Sequence, residues 1–542
     1  MTDRLRPYQH AAVDGRPLLR EACGLVGIHG LDGEVANQTY FALFAVQHRG
    51  QESAGIAVGD GQDLHEHRGM GLVSHVFGEE ALGGLSGYIA VGHCRYSTAG
   101  SSSPKNIQPI MRRPATNTDS DGCDGLVGIG PIAVAHNGNI VNALELRTDP
   151  AHEHARRATS DSAVVAELIA HGWGENVPDR LARVVPRLRG SFSLVIATAR
   201  QLIGVRDGLG NRPLALGRLG DGWMLASETS AFDSVGATFE RDIEPGEIVV
   251  IDDDGIRSIQ LELSQREAMC AFEFIYFQRP DSRIDGRLIH SVRRQMGRLL
   301  ALQRPTDADL VIGVPDSAIA AATGFAEAAG LPYADGFVRN RYIGRTFIEP
   351  TERLRKLGAR LKYNPLPEVV GGKRVVLLDD TIVRGTTQRQ LVGMLRDIGR
   401  AREVHVRITA PPIRWPCFLG IDIPDPVELI AHDADTEEVR VRIGADSLEY
   451  LSVENLVEAI ATGADRLCLG CFTREYPIEV QLPLDKFALE RPMGLETALV
   501  FPRDTAVAEQ PEPVGRPEHV GQGEPAWDDE PEGLDVQAPA RV

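Results

Sequence analysis

VVLLDDTIVRGTT, residues 375–387, decides how the second half of this chain folds. The apolar run Val375–Leu378 has the character of a buried strand and delivers two adjacent acids, Asp379 and Asp380, at its carboxyl end. Residues Thr381–Thr387 then lead into a stretch where Leu391, Met394, Leu395 and Ile398 recur at helical spacing, with Gly399 placed to end the helix. Hydroxyls at Thr381, Thr386 and Thr387, together with Gly385, suit a loop whose backbone N–H groups wrap a phosphate at a helix N-terminus. Acids beside a phosphate repel it unless they accept hydrogen bonds from sugar hydroxyls or hold Mg²⁺. A plain strand-to-helix turn with a solvated acid pair explains the acids but not the hydroxyls and glycine that share their turn. The P-loop pattern G-x-x-x-x-G-K-[ST] is absent.

Outward from this stretch the rhythm is strand, loop, helix. ADLVIGV is followed by a helical run through AIAAATGFAEAAG, and EVHVRITAP supplies a further strand. Such alternation predicts a parallel, doubly wound sheet whose ligands sit at the carboxyl ends of its strands. The strand before the acid pair ends in VPDS, Pro315-Asp316-Ser317, and RNRYIGRTF lies between the two. Its Arg339, Arg341 and Arg345, with Tyr342 and Gly344, form a cationic segment able to close over a diphosphate, or else a solvated basic loop.

The first half reads differently. GLVGIHG, SAGIAV, YIAVGH, IAVAHNG, SFSLVIAT and EIVVID are short apolar runs broken by glycine turns, with helical stretches such as SAVVAELIAHG between them. This predicts stacked sheets flanked by helices over 23–253, with a surface loop across Met111–Gly130, followed by the doubly wound domain over 254–490. Residues 1–22 lack the apolar core of a secretory signal and read as a removable propeptide. Residues 491–542, rich in Pro, Gly, Glu and Asp, read as a disordered tail. No internal repeat is evident. A net charge of −19 argues against nucleic-acid binding, and no apolar run approaches the length of a membrane helix, so a cytoplasmic enzyme is expected.

Seven cysteines in a reducing compartment point to catalysis or metal binding rather than disulfides. Cys23 opens the first β-run. Cleavage after Ala22 would make it the first residue, with an α-amino group of pKa about 8 as local base. GHCRYSTAG, AHNGNI and TSDSAV supply polar groups of distinct kinds. Arg95 suits a carboxylate, Asp161 an α-ammonium group, and Asn137 with the Gly138 N–H an oxyanion. Together they fit recognition of glutamine and attack on its side-chain amide. Cys468 and Cys471 form a CxxC, which alone is compatible with a zinc half-site, a redox pair or chance; Cys270 and Cys417 stand singly beside aromatic residues. Cys94 and Cys123 carry no motif.

The stretch 375–387 resembles the phosphoribosyl-pyrophosphate signature of the type I phosphoribosyltransferases. That resemblance implies ribose contacts from Asp379 and Asp380, and a 5′-phosphate loop of Thr381, Arg384, Gly385, Thr386 and Thr387. It further implies a lid containing Arg339, Tyr342 and Arg345, and one Mg²⁺ near Ser317, Asp379 and Asp380. The first half, with QHRGQESAGIAV and its Arg49 as a further glutamine contact, resembles the class II, N-terminal-nucleophile glutamine amidotransferases, whose fold is a four-layer αββα sandwich. The combination, running from Cys23 to about Phe487, is similar to the amidophosphoribosyltransferase family. Membership implies glutamine hydrolysis, ammonia transfer through an internal channel to phosphoribosyl pyrophosphate, and a homotetramer inhibited by purine nucleotides. One branch of the family also implies a structural [4Fe–4S] cluster on Cys270, Cys417, Cys468 and Cys471. The chain departs from the family pattern at Arg339, Glu349 and Ala163. A hexosamine-forming amidotransferase shares the glutaminase half but needs an isomerase second half; a non-catalytic sensor would not need Cys23, Arg95, Asn137 and Asp161.

Overall fold

The computed structural model describes residues 23–30, 33–96, 101–114, 129–263, 266–340, 362–423, 426–479 and 488–490. The expected propeptide and tail, Cys123, and the lid residues Arg341, Tyr342, Gly344, Arg345 and Glu349 lie outside them. The described residues of both halves belong to one compact unit.

The first half is built from two antiparallel sheets. One has the order Thr238–Asp242, Ala215–Leu219, Gly222–Ala226, Gly24–His29, Ile89–Arg95, Ser53–Gly59, Leu64–Met70. The other runs Gly255–Gln260, Glu247–Asp252, Leu202–Arg206, Gly190–Thr198, Ile132–Ile140, Ile110–Arg112. Between the sheets lies a dry layer including Leu25, Ala57, Val91, Ala135, Val195 and Leu225. Helix Val35–Ala45 covers the outer face of the first sheet and helices Asp161–Ala170 and Val177–Val184 that of the second. This is the four-layer αββα sandwich, and burial on both faces explains why its central strands are apolar throughout rather than alternating. Strand Gly255–Gln260 pairs along its whole length with Glu247–Asp252, so the first half extends beyond the expected boundary at 253. Residues Met111–Arg112, expected in a loop, form the edge of the second sheet.

The second half carries the expected parallel sheet, with Leu310–Gly313, Arg374–Asp379, Glu403–Ile408 and Ser447–Tyr450 adjacent in that order. A parallel bridge from Val311 to Tyr333 adds one more position outside Leu310–Gly313. The chain therefore runs outward from its first strand through helix Ile319–Ala329, then returns to the other side and proceeds through helix Thr386–Asp397. Right-handed crossovers in opposite directions put these helices on opposite faces, and the order reverses between Leu310–Gly313 and Arg374–Asp379. The crevice at that reversal receives both Pro315–Ser317 and Asp379–Thr387.

The two halves meet around Leu209, Ala268 and Leu419, with Cys417 and Cys468 packed against them. Leu225 is fully buried between the two sheets of the sandwich. Leu225→Ala is expected to cost about 2–5 kcal/mol, measured as a fall in the urea midpoint at unchanged slope.

Candidate active sites and thiol shell

Cys23 lies at the start of strand Gly24–His29, whose neighbour ends in Cys94-Arg95. Its thiol donates to the Tyr96 carbonyl at 3.2 Å and accepts from the Tyr96 N–H at 3.4 Å. Burial pushes the thiol up from its ordinary value, opposed by the Tyr96 hydrogen bond and the Arg95 charge, and reinforced by Glu52 and Asp161. At neutral pH the sulfur is thus protonated, and attack requires a base to take that proton.

Across the sandwich, strand Ile132–Ile140 carries Asn137 and Gly138. His93, two residues before Arg95, bonds the His136 carbonyl at 3.2 Å and so ties the two strands together. Burial keeps His93 neutral, pushed down to about 3. Asn137 is fully buried, and among the described residues neither its side-chain nitrogen nor its oxygen has a partner. Leaving such an amide unsatisfied costs about 1–3 kcal/mol, so the site retains hydrogen-bonding capacity for something else. Gly138 adopts φ 144°, and a Cβ there would sit 2.0 Å from the Ser191 carbonyl oxygen, which restricts the position to glycine. Asp161 opens helix Asp161–Ala170, capped by Ser160, and accepts from the Ile140 N–H at 3.2 Å. Arg95, buried at the strand end, lies 3.7 Å from Glu52 and donates to the Ser101 carbonyl at 3.2 Å.

Arg49 does not occupy the position expected of a glutamine ligand. Its guanidinium is fully buried and committed: Nε donates to the Cys23 carbonyl at 3.1 Å, Nη1 to Glu228 at 2.7 Å, and Nη2 to Glu273 at 2.9 Å. Burial opposes its charge, but the two carboxylates outweigh that and hold it more basic than usual. Arg49 therefore fixes the residue that carries the thiol.

In the crevice of the second half, Asp379 and Asp380 are both buried. Burial first, and Asp380 second, hold the Asp379 carboxyl well above the usual carboxylate range. Asp379 accepts from the Asp380 N–H at 2.9 Å and from the Gln388 side-chain amide, while the Thr381 hydroxyl donates to Asp380 at 2.8 Å. The loop is anchored by the buried side chains of Ile382 and Val383, and Gly385 (φ 75°) turns it into helix Thr386–Asp397. Thr386 and Thr387 occupy the first positions of that helix, where backbone N–H groups are unsatisfied by the helix itself. Arg339 donates to Asp316 at 2.6 Å, linking the end of strand Phe337–Arg339 to the VPDS turn that holds Ser317. Arg384, expected at the phosphate, instead pairs with Glu428. Lys362, which acts electrostatically on Asp379, and Gln388 were not expected from sequence. Lys362 is separated from the acids by 17 residues, and a lone lysine carries no motif.

Cys270 and Cys471 are buried, and Cys417 and Cys468 half-buried. Cys270 and Cys468 are paired in a short parallel bridge, and the Arg414 and Trp415 N–H groups bond the Cys471 carbonyl, bringing the Cys417 loop alongside. Burial pushes Cys471 well up from its ordinary value, and charge on Cys468, Cys417 and Cys270 raises it further; Cys270 is pushed up to about 12 and Cys468 to about 11. Among the described residues, no three histidine, cysteine or acidic side chains are gathered as a ready-made metal site, and no helix is long and apolar enough to cross a membrane.

An αββα sandwich with a thiol at its first strand, joined to a doubly wound domain with a paired-acid phosphate turn, defines a class II glutamine amidotransferase fused to a phosphoribosyltransferase. Residues 112–234 match the family described as a glutamine amidotransferase domain. The chain is 46% identical to the amidophosphoribosyltransferase of Mycobacterium tuberculosis, covering 92% of this chain and 94% of that one. It is 45% identical to the amidophosphoribosyltransferase of Bacillus subtilis, covering 85% and 95%. The solved glutamine phosphoribosylpyrophosphate amidotransferase of B. subtilis, complexed with ADP and GMP, superposes with a TM-score of 0.78 at 43% identity, covering 85% of this chain and 98% of that one. This chain belongs to the amidophosphoribosyltransferase family. Its reaction converts phosphoribosyl pyrophosphate, glutamine and water to 5-phosphoribosylamine, pyrophosphate and glutamate, the first step of de novo purine synthesis.

Arg49→Met leaves Glu228 and Glu273 buried without their shared cation. It is expected to lower stability by about 3–5 kcal/mol in chemical denaturation. Unchanged stability with only a raised KM for glutamine would return Arg49 to a substrate-binding role.

Proposed function

We propose that Cys23 is the nucleophile of the glutaminase half, freed as an N-terminal residue by removal of residues 1–22. The observation that carries this reading is the buried amide of Asn137, unpartnered among the described residues, on the strand tied to the thiol's own sheet. Its Nδ2 and the Gly138 N–H are the donors for the oxyanion formed when sulfur attacks the glutamine side-chain amide. Arg95 receives the substrate carboxylate and Asp161 its α-ammonium group. The thioester forms as ammonia leaves, and water then releases glutamate.

In the second half, Asp379 and Asp380 accept hydrogen bonds from the ribose hydroxyls, and the turn Thr381–Thr387 holds the 5′-phosphate. Arg339 is assigned to the pyrophosphate; Tyr342 and Arg345, expected beside it, lie outside the described residues. Ammonia adds at C1 of the ribose as pyrophosphate departs. Two adjacent carboxylates do not encage a cation by themselves, but Mg²⁺ typically combines one or two carboxylates with substrate phosphates. Asp379, Asp380 and Ser317 are the residues that would hold it, where it would offset charge on the departing pyrophosphate.

Cys270, Cys417, Cys468 and Cys471 are the ligand set for a [4Fe–4S] cluster. Loss of water makes each of these four thiols a weaker acid, which disfavours bare thiolates and suits partnership with a cationic core. Such a cluster would brace the junction of the two halves structurally. A homotetramer of cytoplasmic subunits completes the reading.

Cys23→Ala is expected to abolish glutamine-dependent phosphoribosylamine formation while leaving activity with free ammonia, followed as pyrophosphate release. Loss of both activities in a folded protein would count against a separate glutaminase site. For the cluster, anaerobically purified protein should contain about four iron atoms per chain. Cys468→Ser should reduce that content; iron-free protein with both activities intact would remove the cluster from the reading.

A further inference from the structure

The second half reaches into the glutaminase site through the loop Phe418-Leu419-Gly420. The Asn139 side-chain amide donates to the Phe418 carbonyl at 2.9 Å. The Leu419 carbonyl accepts three hydrogen bonds, from the Ser191 hydroxyl at 2.6 Å and from Arg212 Nε and Nη2 at 3.1 and 2.6 Å. Gly420, at φ 95°, lies so close to Gly138 that a Cβ would come within 2.8 Å of the Gly138 carbonyl carbon and 2.9 Å of its Cα. Asn139 and Ser191 face each other across the strand pair that carries Asn137 and Gly138.

Arg212 is fully buried and also donates to Glu273 at 3.2 Å. Glu273 is the carboxylate that receives Arg49, and Arg49 holds the Cys23 carbonyl. One buried sequence of contacts thus runs from the Cys23 backbone through Arg49, Glu273 and Arg212 to Leu419, and Gly420 then abuts Gly138. The nucleophile's backbone and the oxyanion strand are registered against the same loop of the other half.

We propose that Arg212 and the loop Phe418–Gly420 are positioning elements of the glutaminase site, setting the placement of the oxyanion donors relative to Cys23 from within the phosphoribosyltransferase half. The inference rests on the oxyanion role given to Asn137 and Gly138. An oxyanion hole depends on donors held at 2.7–3.1 Å from the developing charge, so a displacement of a few tenths of an ångström is felt in kcat before it is felt in substrate binding.

The test uses the full-length enzyme and compares glutamate production with ammonia-dependent pyrophosphate release. Gly420→Ala is expected to lower glutaminase kcat about a hundredfold, with KM for glutamine within about a factor of two, and to leave the ammonia-dependent rate within about a factor of two. Ser191→Ala, which adds no volume and removes one bond to Leu419, should show the same split at about tenfold; it serves if Gly420→Ala fails to fold. An unchanged glutaminase rate, a change confined to KM, or an equal loss of both activities would overturn the inference. Asn137→Ala separates the two layers of argument. If it leaves glutaminase kcat intact, the oxyanion reading fails; if it abolishes kcat while the loop variants do not, only the positioning role fails.

Discussion

Arg49, Arg212, Glu228 and Glu273 form a charge-balanced quartet from which water is excluded. Placing four charges inside a protein is expensive, and mutual attraction offsets that expense only where geometry is good and every remaining donor is used. The quartet meets those terms by spending its spare N–H groups on the carbonyls of Cys23 and Leu419. Because Glu273 comes from the second half, each half supplies what the other's buried charge needs. Separating them would strand two arginines without a common acid. The fusion of the two activities is therefore physical as well as covalent.

Burial acts on two groups of cysteines with different results. Cys23, Cys270, Cys468 and Cys471 are all made weaker acids by loss of water. At Cys23 the sulfur also meets a backbone N–H and the charge of Arg95, which oppose that effect and allow a thiolate to form transiently. At Cys471 the neighbouring Cys468, Cys417 and Cys270 add to that effect, whereas the Arg212 charge opposes it at Cys270 and Cys468.

Local signals in the sequence carried much of this molecule. The strand–acid–hydroxyl run at 375–387 specifies its own turn, because the chemistry and the backbone requirement lie within a dozen residues. The same is true of the strands through Asn137 and Arg95, and of the Ser160 cap that presents Asp161. What escaped depended on separation. Nothing near Arg49 announces Glu273, 224 residues away, so an arginine beside a nucleophile looked like a substrate ligand. Gly420 follows the single Cys417 by three residues, and its reason for being glycine, the close approach of Gly138, lies on a strand of the first half. Strand Gly255–Gln260 is polar and half exposed, so it lacked the apolar signature of its neighbours. Arg384 carried the expected charge in the expected turn, yet Glu428, from a distant segment, engages it.

After the second half, Ala488–Glu490 returns to the sandwich: Leu489 joins the core under helix Asp161–Ala170, and Glu490 receives the Ser101 N–H at 2.5 Å and the Asn106 amide at 3.2 Å. Topologically, the sugar-phosphate module is an insert fastened at both of its margins. Such two-point suspension restricts the independent drift that a single tether would permit, and keeps the local concentration of each module about the other high. It also ties the far margin of the insert, through Glu490, to Ser101, whose carbonyl receives Arg95, so the two margins of the insert and the strand end at Arg95 share one local framework.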